Sequence, residues 1–211
     1  MKKFLFASLL VTLSFVTYAQ PKIGLTFAPG ISMNRVKYSS TTDVIDKYGS
    51  RMKMSFGLEA DFKLTDSYAF STGLIFTPKR VGFKIAKANT STIREVYNMQ
   101  YLQLPISLKL YTTEIQPDLR PFFHIGFLAE VKVFDEPNRP TYDLVDDFKF
   151  YDASFLGGMG VEYGAGVNTV LYLGLYYSRG LVNIVKSTTD PADDILVAKM
   201  DAFNVRLGIK F

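Results

Sequence analysis

Residues 99–111 read MQYLQLPISLKLY. From Leu102 to Leu110 every second residue is aliphatic: Leu102, Leu104, Ile106, Leu108 and Leu110, with Gln103, Pro105, Ser107 and Lys109 between them. At about 100° per residue, a helix would scatter these five side chains around its cylinder; an extended strand gathers them on one face. The stretch is therefore a strand with one apolar face and one polar face. Two questions follow: which face meets water, and how a strand accommodates a proline that has no N–H to donate.

The same period-2 pattern recurs on both sides of this stretch. Lys22 to Ala28 alternates around Ile23, Leu25 and Phe27. Met52, Met54, Phe56, Leu58, Ala60 and Phe62 oppose Lys53, Ser55, Gly57, Glu59 and Asp61. Tyr68 to Phe76, Phe123 to Val133, Ala153 to Tyr163, Leu171 to Tyr177 and Phe203 to Phe211 repeat it. With the opening stretch this makes eight candidate strands. The connections alternate long and short. Leu64–Ser67, Thr112–Asp118 and Ala165–Asn168 are the shorter ones, and the four long gaps then fall at one end of an up-and-down barrel. Transmembrane barrels place short turns in the periplasm and long loops outside. The expected fold is an all-β, eight-stranded antiparallel barrel with both termini periplasmic.

Composition narrows the function classes. The chain has 211 residues, enough for one sizeable domain, with 24 basic against 20 acidic side chains. Such a mild, dispersed charge gives no basis for a nucleic-acid partner. The absence of cysteine excludes disulfides and thiolate chemistry. There are 13 tyrosines and 18 phenylalanines, a supply suited to strands and membrane interfaces. The start, MKKFLFASLLVTLSFVTYAQ, has a basic beginning, an apolar core from Phe4 to Val16 and small residues before Ala19/Gln20. It reads as a signal peptide over residues 1–19, with the mature domain over 20–211 and export from the cytoplasm.

Alternation alone does not orient the faces. A soluble, lipocalin-like barrel would turn its aliphatics inward around an apolar ligand. A membrane barrel turns them outward and fills its lumen with polar residues and glycine. The polar faces carry Glu59, Asp61, Lys109, His124, Glu130, Lys132, Glu162, Arg206 and Lys210. An Arg or Lys facing lipid near the midplane would cost about 2–4 kcal/mol, so their confinement to one face favours the membrane. Aromatic pairs such as Tyr68 and Phe76, Tyr101 and Tyr111, and Phe123 and Phe134 bracket the strands as interface girdles would. Phe203, Val205, Leu207 and Ile209 join the opening aliphatics as lipid-facing residues. The closing Phe211 resembles the signal read by the barrel-assembly machinery of bacterial outer membranes. A closed barrel has no edge strand, so Pro105 predicts a bulge or a broken ladder bond beside it.

Tyr101-Leu-Gln-Leu-Pro-Ile106 resembles a recurring segment of the PorT-like outer-membrane β-barrel family of Bacteroidetes. Pro121–Gly126, Phe155–Tyr163, Tyr176–Ile184 and the terminal strand resemble further segments in family order. The resemblance implies an eight-stranded barrel whose function is largely uncharacterised. The family takes its name from a member linked to a secretion system for gingipain-type proteins.

No constellation points firmly to catalysis. His124, the only histidine, could serve as a general base, but no serine motif accompanies it; the plainer role is a lumen residue bonded to a carboxylate. Glu59, Asp61, Glu130 and Glu162 could be paired carboxylates for glycoside chemistry; the plainer role is ion pairing with Lys109, Lys132 and Arg206. Asp143–Phe148 and Asp190–Asp194 hold acidic clusters without a regular calcium-loop spacing. Gly157-Gly-Met-Gly160 lies within a strand and suits close packing. The expected protein is thus a monomeric, non-enzymatic outer-membrane barrel without cofactor or metal. Its partners would be outer-membrane lipid and an extracellular ligand or a secretion-system component met by four long loops. A narrow channel for ions or small solutes is the alternative, and a soluble envelope barrel the third reading.

Overall fold

The computed structural model describes residues 21–38, 44–49, 51–86, 92–139, 141–142, 144–189 and 196–211. The segment expected to be a signal peptide, the cut at Ala19/Gln20, Asp143 and Asp190–Asp194 lie outside them. The described strands are β1 (Lys22–Lys37), β2 (Val44–Lys47), β3 (Arg51–Lys63), β4 (Tyr68–Ala86), β5 (Ile93–Tyr111), β6 (Leu119–Pro137), β7 (Val145–Phe148), β8 (Tyr151–Gly164), β9 (Val170–Gly180), β10 (Val185–Thr188) and β11 (Val197–Lys210).

Eight of these close a ring in the order β1-β3-β4-β5-β6-β8-β9-β11, with β11 returning to β1, every pair antiparallel. Phe211 and Ile23 exchange backbone hydrogen bonds of 2.9 and 3.2 Å across the seam. Both ends of the ring lie with the short turns, and β2 and the β7–β10 pair stand at the opposite, loop end.

The aliphatic face points outward. Leu104, Ile106, Leu108, Phe203 and Leu207 are exposed, and Leu102, Leu110, Val205 and Ile209 are half-buried on the same wall. Ser107, Lys109, His124 and Arg206 are buried inside. This overturns the soluble alternative, which needs the reverse. The expected girdle is also corrected in part. Tyr68, Phe123 and Phe134 face out, but Tyr101 is 0% exposed within the barrel and Tyr111 is half-buried near Lys109. Residue 101 shares the parity of Gln103 and Lys109, so the strand aims it inward.

The strands run well past the ends set by the aliphatic stripe, and their polarity inverts on the way. In β4, Tyr68 and Leu74 face out while Ser71 and Thr77 face in; beyond Thr77 the buried, inward residues become Val81, Phe83 and Ile85, and Lys84 faces out. β5 inverts at Tyr101/Leu102 and β11 at Ala202/Phe203. Thr77 pairs with Tyr101 and Phe76 with Leu102, so neighbouring strands invert at one level. No slip in register accompanies the change in β4 and β5. A strand that is apolar-out below a level and apolar-in above it is built for two solvents: hydrocarbon around the belt and water around the loop end. From Leu102 to Leu110 the belt spans about 21 Å, using about 3.4 Å per residue and a tilt of about 40°.

Pro105 is accommodated by a gap in the ladder. The β4–β5 pairing runs Thr72 with Ile106 and resumes at Ile75 with Gln103, leaving Pro105 and Leu104 without partners on that side. The register is the same before and after, and on the other side Pro105 keeps its place opposite Leu128. The broken ladder is therefore found and the bulge is not. Pro29 shows the same signature: pairing with β11 stops after Phe27–Leu207 and resumes at Gly30–Asn204. The only irregularity of the β5–β6 ladder falls higher, where Gln100 pairs with Phe134 and Tyr101 with Lys132, leaving Val133 as the extra residue.

Candidate functional site

The lumen is filled in three tiers. Nearest the turns, Lys109 lies 3.1 Å from Asp61 and bonds Glu162, and Lys210 bonds Asp61 and lies 3.4 Å from Glu162. Ser71 donates its hydroxyl to Asp61. Two ammonium groups and two carboxylates thus form a neutral square in which each charge has two opposite neighbours. Above it, Arg206 donates to Glu59 at 2.8 Å, and the Tyr172 hydroxyl donates to the other Glu59 oxygen at 2.8 Å. The Arg206 guanidinium lies 4.2 Å from the centre of the Tyr176 ring.

The third tier centres on Lys79. Its ammonium lies 2.5 Å from Glu130 and 3.6 Å from Asp152, and sits 4.8 Å from the Tyr101 ring centre. Glu130 also accepts hydrogen bonds from Gln103 and from Ser154. Buried charges persist only when paired and hydrogen-bonded, and β-strand parity aims these groups at each other across the ring.

Four of the expected lumen residues, Asp61, Lys109, Glu162 and Lys210, meet in the first tier, and Glu59 meets Arg206 in the second. Two expectations are corrected. Lys132 does not pair with Glu130. It sits at the loop end, donates to the Phe148 carbonyl at 2.7 Å and pairs with Asp135 at 3.1 Å, tying β7 to the barrel. His124 is not bonded to a carboxylate. Both ring nitrogens are buried with no hydrogen-bond partner among the described residues, and the imidazole lies 5.4 Å from each of the Phe122 and Tyr176 rings. No hydroxyl nucleophile and carboxylate come within bonding reach of it there, so the geometry assembles no triad.

Lys79 and Asp152 were missed from the sequence. Both lie just past the ends of the aliphatic stripe, yet both have lumen parity: Lys79 follows Ser71, Gly73 and Thr77, and Asp152 precedes Ser154. Continuing the period-2 count a few residues beyond the stripe would have found them. The glycines near Met159 act as space. A methyl group on Gly160 would meet the Leu173 carbonyl, Phe122 Cζ at 2.6 Å and Gly174 Cα at 2.7 Å. Gly160→Ala is therefore expected to destabilise the barrel by about 1–3 kcal/mol, seen as a lower urea midpoint in detergent micelles.

Above the charged tiers the lumen is apolar. Val81, Phe83, Tyr97, Met99, Ala198 and Met200 from the barrel pack against Val145, Phe148, Ile184 and Val185 of β7, β10 and the segment before β10. The loops are thus folded into the mouth. Glu95, buried at this end, accepts bonds from the Tyr97 hydroxyl at 2.6 Å and the Leu144 amide at 3.1 Å, pinning the cap to β5. On its outer side Lys186 donates to Asp147 at 2.6 Å, which holds the Asp147 carboxyl below its ordinary range, and Ser187 donates to Asp146. These carboxylates of the expected acidic cluster are engaged in the β7–β10 pairing. No group of three metal-ligating side chains forms among the described residues.

Comparison with known proteins places this architecture. The barrel resembles the outer membrane protein OprG from Pseudomonas aeruginosa, with a TM-score of 0.54 at 11% identity over 90% of this chain and 96% of that one. It also resembles Neisserial surface protein A, with a TM-score of 0.50 at 14% identity over 89% and 95% of the two chains. No curated protein matches the sequence. At such identities the likeness is one of fold. The sequence itself matches a family model over residues 18–186. With the outward aliphatic belt, the inverted strand ends and the closed ring already in view, that match identifies the chain as a member of the outer membrane protein beta-barrel domain family.

Proposed function

We propose that this protein is a closed, non-enzymatic barrel that works by binding at its extracellular loops, with its short turns and termini in the periplasm. The observation that carries this reading is the stacked filling of the lumen: three ion-paired tiers under an apolar cap made by β7 and β10. An eight-stranded barrel has an interior just wide enough for side chains, and here they occupy it. The segments around Tyr101–Ile106 and Phe155–Tyr163 support a place among the PorT-like barrels of Bacteroidetes, with signal-peptide export, assembly through the Phe211 strand and a secretion-system or other surface partner at the loops.

Reconstitution in planar bilayers tests the closed lumen. The folded barrel is expected to give no stable conductance steps in molar salt. Regular steps that scale with salt concentration would establish the narrow channel instead.

A further inference from the structure

Beside the cap, the loop end carries a second feature that the closed lumen does not use. A cavity of about 540 Å³ opens between the segment after β2, the outer parts of β4 and β5, and the segment after β6. Its walls include Arg80, Arg94 and Arg139, the rings of Tyr48 and Tyr142, and the amide side chain of Asn138. No Asp or Glu is among the described residues that line it, and none of the three arginines makes an ion pair with a described carboxylate. The fully buried cations of the lumen are each matched by a carboxylate: Lys79 by Glu130, Lys109 by Glu162, Arg206 by Glu59 and Lys210 by Asp61. Arg94 and Arg139 are exposed and Arg80 is half-buried, so three guanidinium groups border one solvent-accessible opening with no described carboxylate among its walls.

The walls are held by backbone bonds. Tyr48 donates its amide to the Gly82 carbonyl at 2.9 Å, Asn138 to the Val96 carbonyl at 2.8 Å, and Tyr142 to the Arg139 carbonyl at 3.1 Å. The Arg80 amide donates to Ser32 at 3.2 Å. The Arg94 guanidinium lies 5.0 Å from the centre of the Tyr48 ring, which orients its donors. On the far side Tyr142 packs on Tyr97 of β5, with ring centres 6.1 Å apart.

We propose that this cavity is a binding site for an anionic oligosaccharide. Guanidinium forks bind carboxylate or sulfate with paired hydrogen bonds, and three of them without a competing acid select a ligand with more than one negative group. The tyrosine faces offer flat apolar surface for sugar C–H groups, and Asn138 offers a donor and an acceptor for hydroxyls. The volume lies in the range of small-ligand sites and accommodates a short glycan segment. The mixed aromatic and amide lining favours a carbohydrate over an acidic peptide. The site names the ligand class for the surface-binding reading and rests on it.

The test uses the full-length folded barrel in detergent micelles, with folding of every variant checked by its heat-dependent gel mobility. Labelled tetragalacturonate and a heparin-derived tetrasaccharide are titrated by fluorescence polarisation, with maltotetraose and tetraglutamate as comparison. At least one anionic glycan is expected to bind, more weakly as salt rises. Arg94→Ala and Arg139→Ala are each expected to weaken binding about tenfold or more. Absence of binding by both anionic glycans, equal binding of maltotetraose or tetraglutamate, or unchanged binding by both arginine variants would overturn the assignment. The bilayer measurement on the same preparation separates the two readings: a conducting barrel that binds the glycan loses only the closed lumen, and a closed barrel that does not bind loses only this site.

Discussion

Arg206→Met is expected to destabilise the folded barrel by about 3–5 kcal/mol, the scale for removing one partner of a buried ion pair. Glu59 is 3% exposed, and without Arg206 its carboxylate keeps only the Tyr172 hydroxyl as a described donor. The neighbouring tiers do not substitute, because Lys109 and Lys210 are engaged with Asp61 and Glu162. The penalty is thus an unpaired buried charge more than a lost attraction. This separates the single variant from Glu59→Gln/Arg206→Met, in which both charges are removed and most of the loss is expected to be recovered. Urea midpoints and the temperature at which the compact gel band converts to the unfolded one measure both. A single variant that unfolds at the parental midpoint would show that the lumen pair is not buried from water as described.

The second large effect distinguishes the solvent around the belt. Ile106 faces outward and is 46% exposed in the barrel alone. If hydrocarbon surrounds it, Ile106→Arg is expected to cost about 2–4 kcal/mol in lipid vesicles, the range for an arginine near the bilayer midplane. In water the same exposed substitution would fall within about 0.5 kcal/mol. Gln100→Arg is the internal control. It lies on the same strand and the same outer face, one pair beyond the level at which Phe76–Leu102 gives way to Thr77–Tyr101. Near the interface an arginine costs about 0–1 kcal/mol. Equal costs at the two positions would contradict a hydrocarbon belt ending at that level.

The ring of eight strands was legible because its signal is local. Each strand repeats aliphatic and polar residues at period 2, and short turns such as Leu64–Ser67 stand out between them. The outward face was legible through Lys109, Arg206 and their neighbours, since an ion on the lipid side would be expensive. Pro105 was legible as a ladder defect, because a missing N–H is a property of the residue. The strand ends were not legible. Above the belt the apolar residues change face, as in Val81, Phe83 and Ile85, so a search for one continuous stripe stops at Phe76 and leaves Lys79 in a loop.

The pairing inside the lumen was beyond the sequence for a different reason. Arg206 and Glu59 are 147 residues apart, and Lys109 and Asp61 are 48 apart. Parity says that all four point inward, but ring closure and strand stagger decide which heights coincide. The same holds for Lys132, whose parity matches Glu130 while its height brings it to Phe148 and Asp135. It holds again for Arg80, Arg94 and Arg139, three unremarkable loop-side cations until neighbouring strands and loops set them around one cavity. By itself, then, the sequence determined the strand repeat, the barrel and the face turned to lipid, because alternation and charge cost act residue by residue. Only the tertiary structure decided the tiers, the cap and the arginine-lined cavity, because those depend on the register between strands distant in sequence.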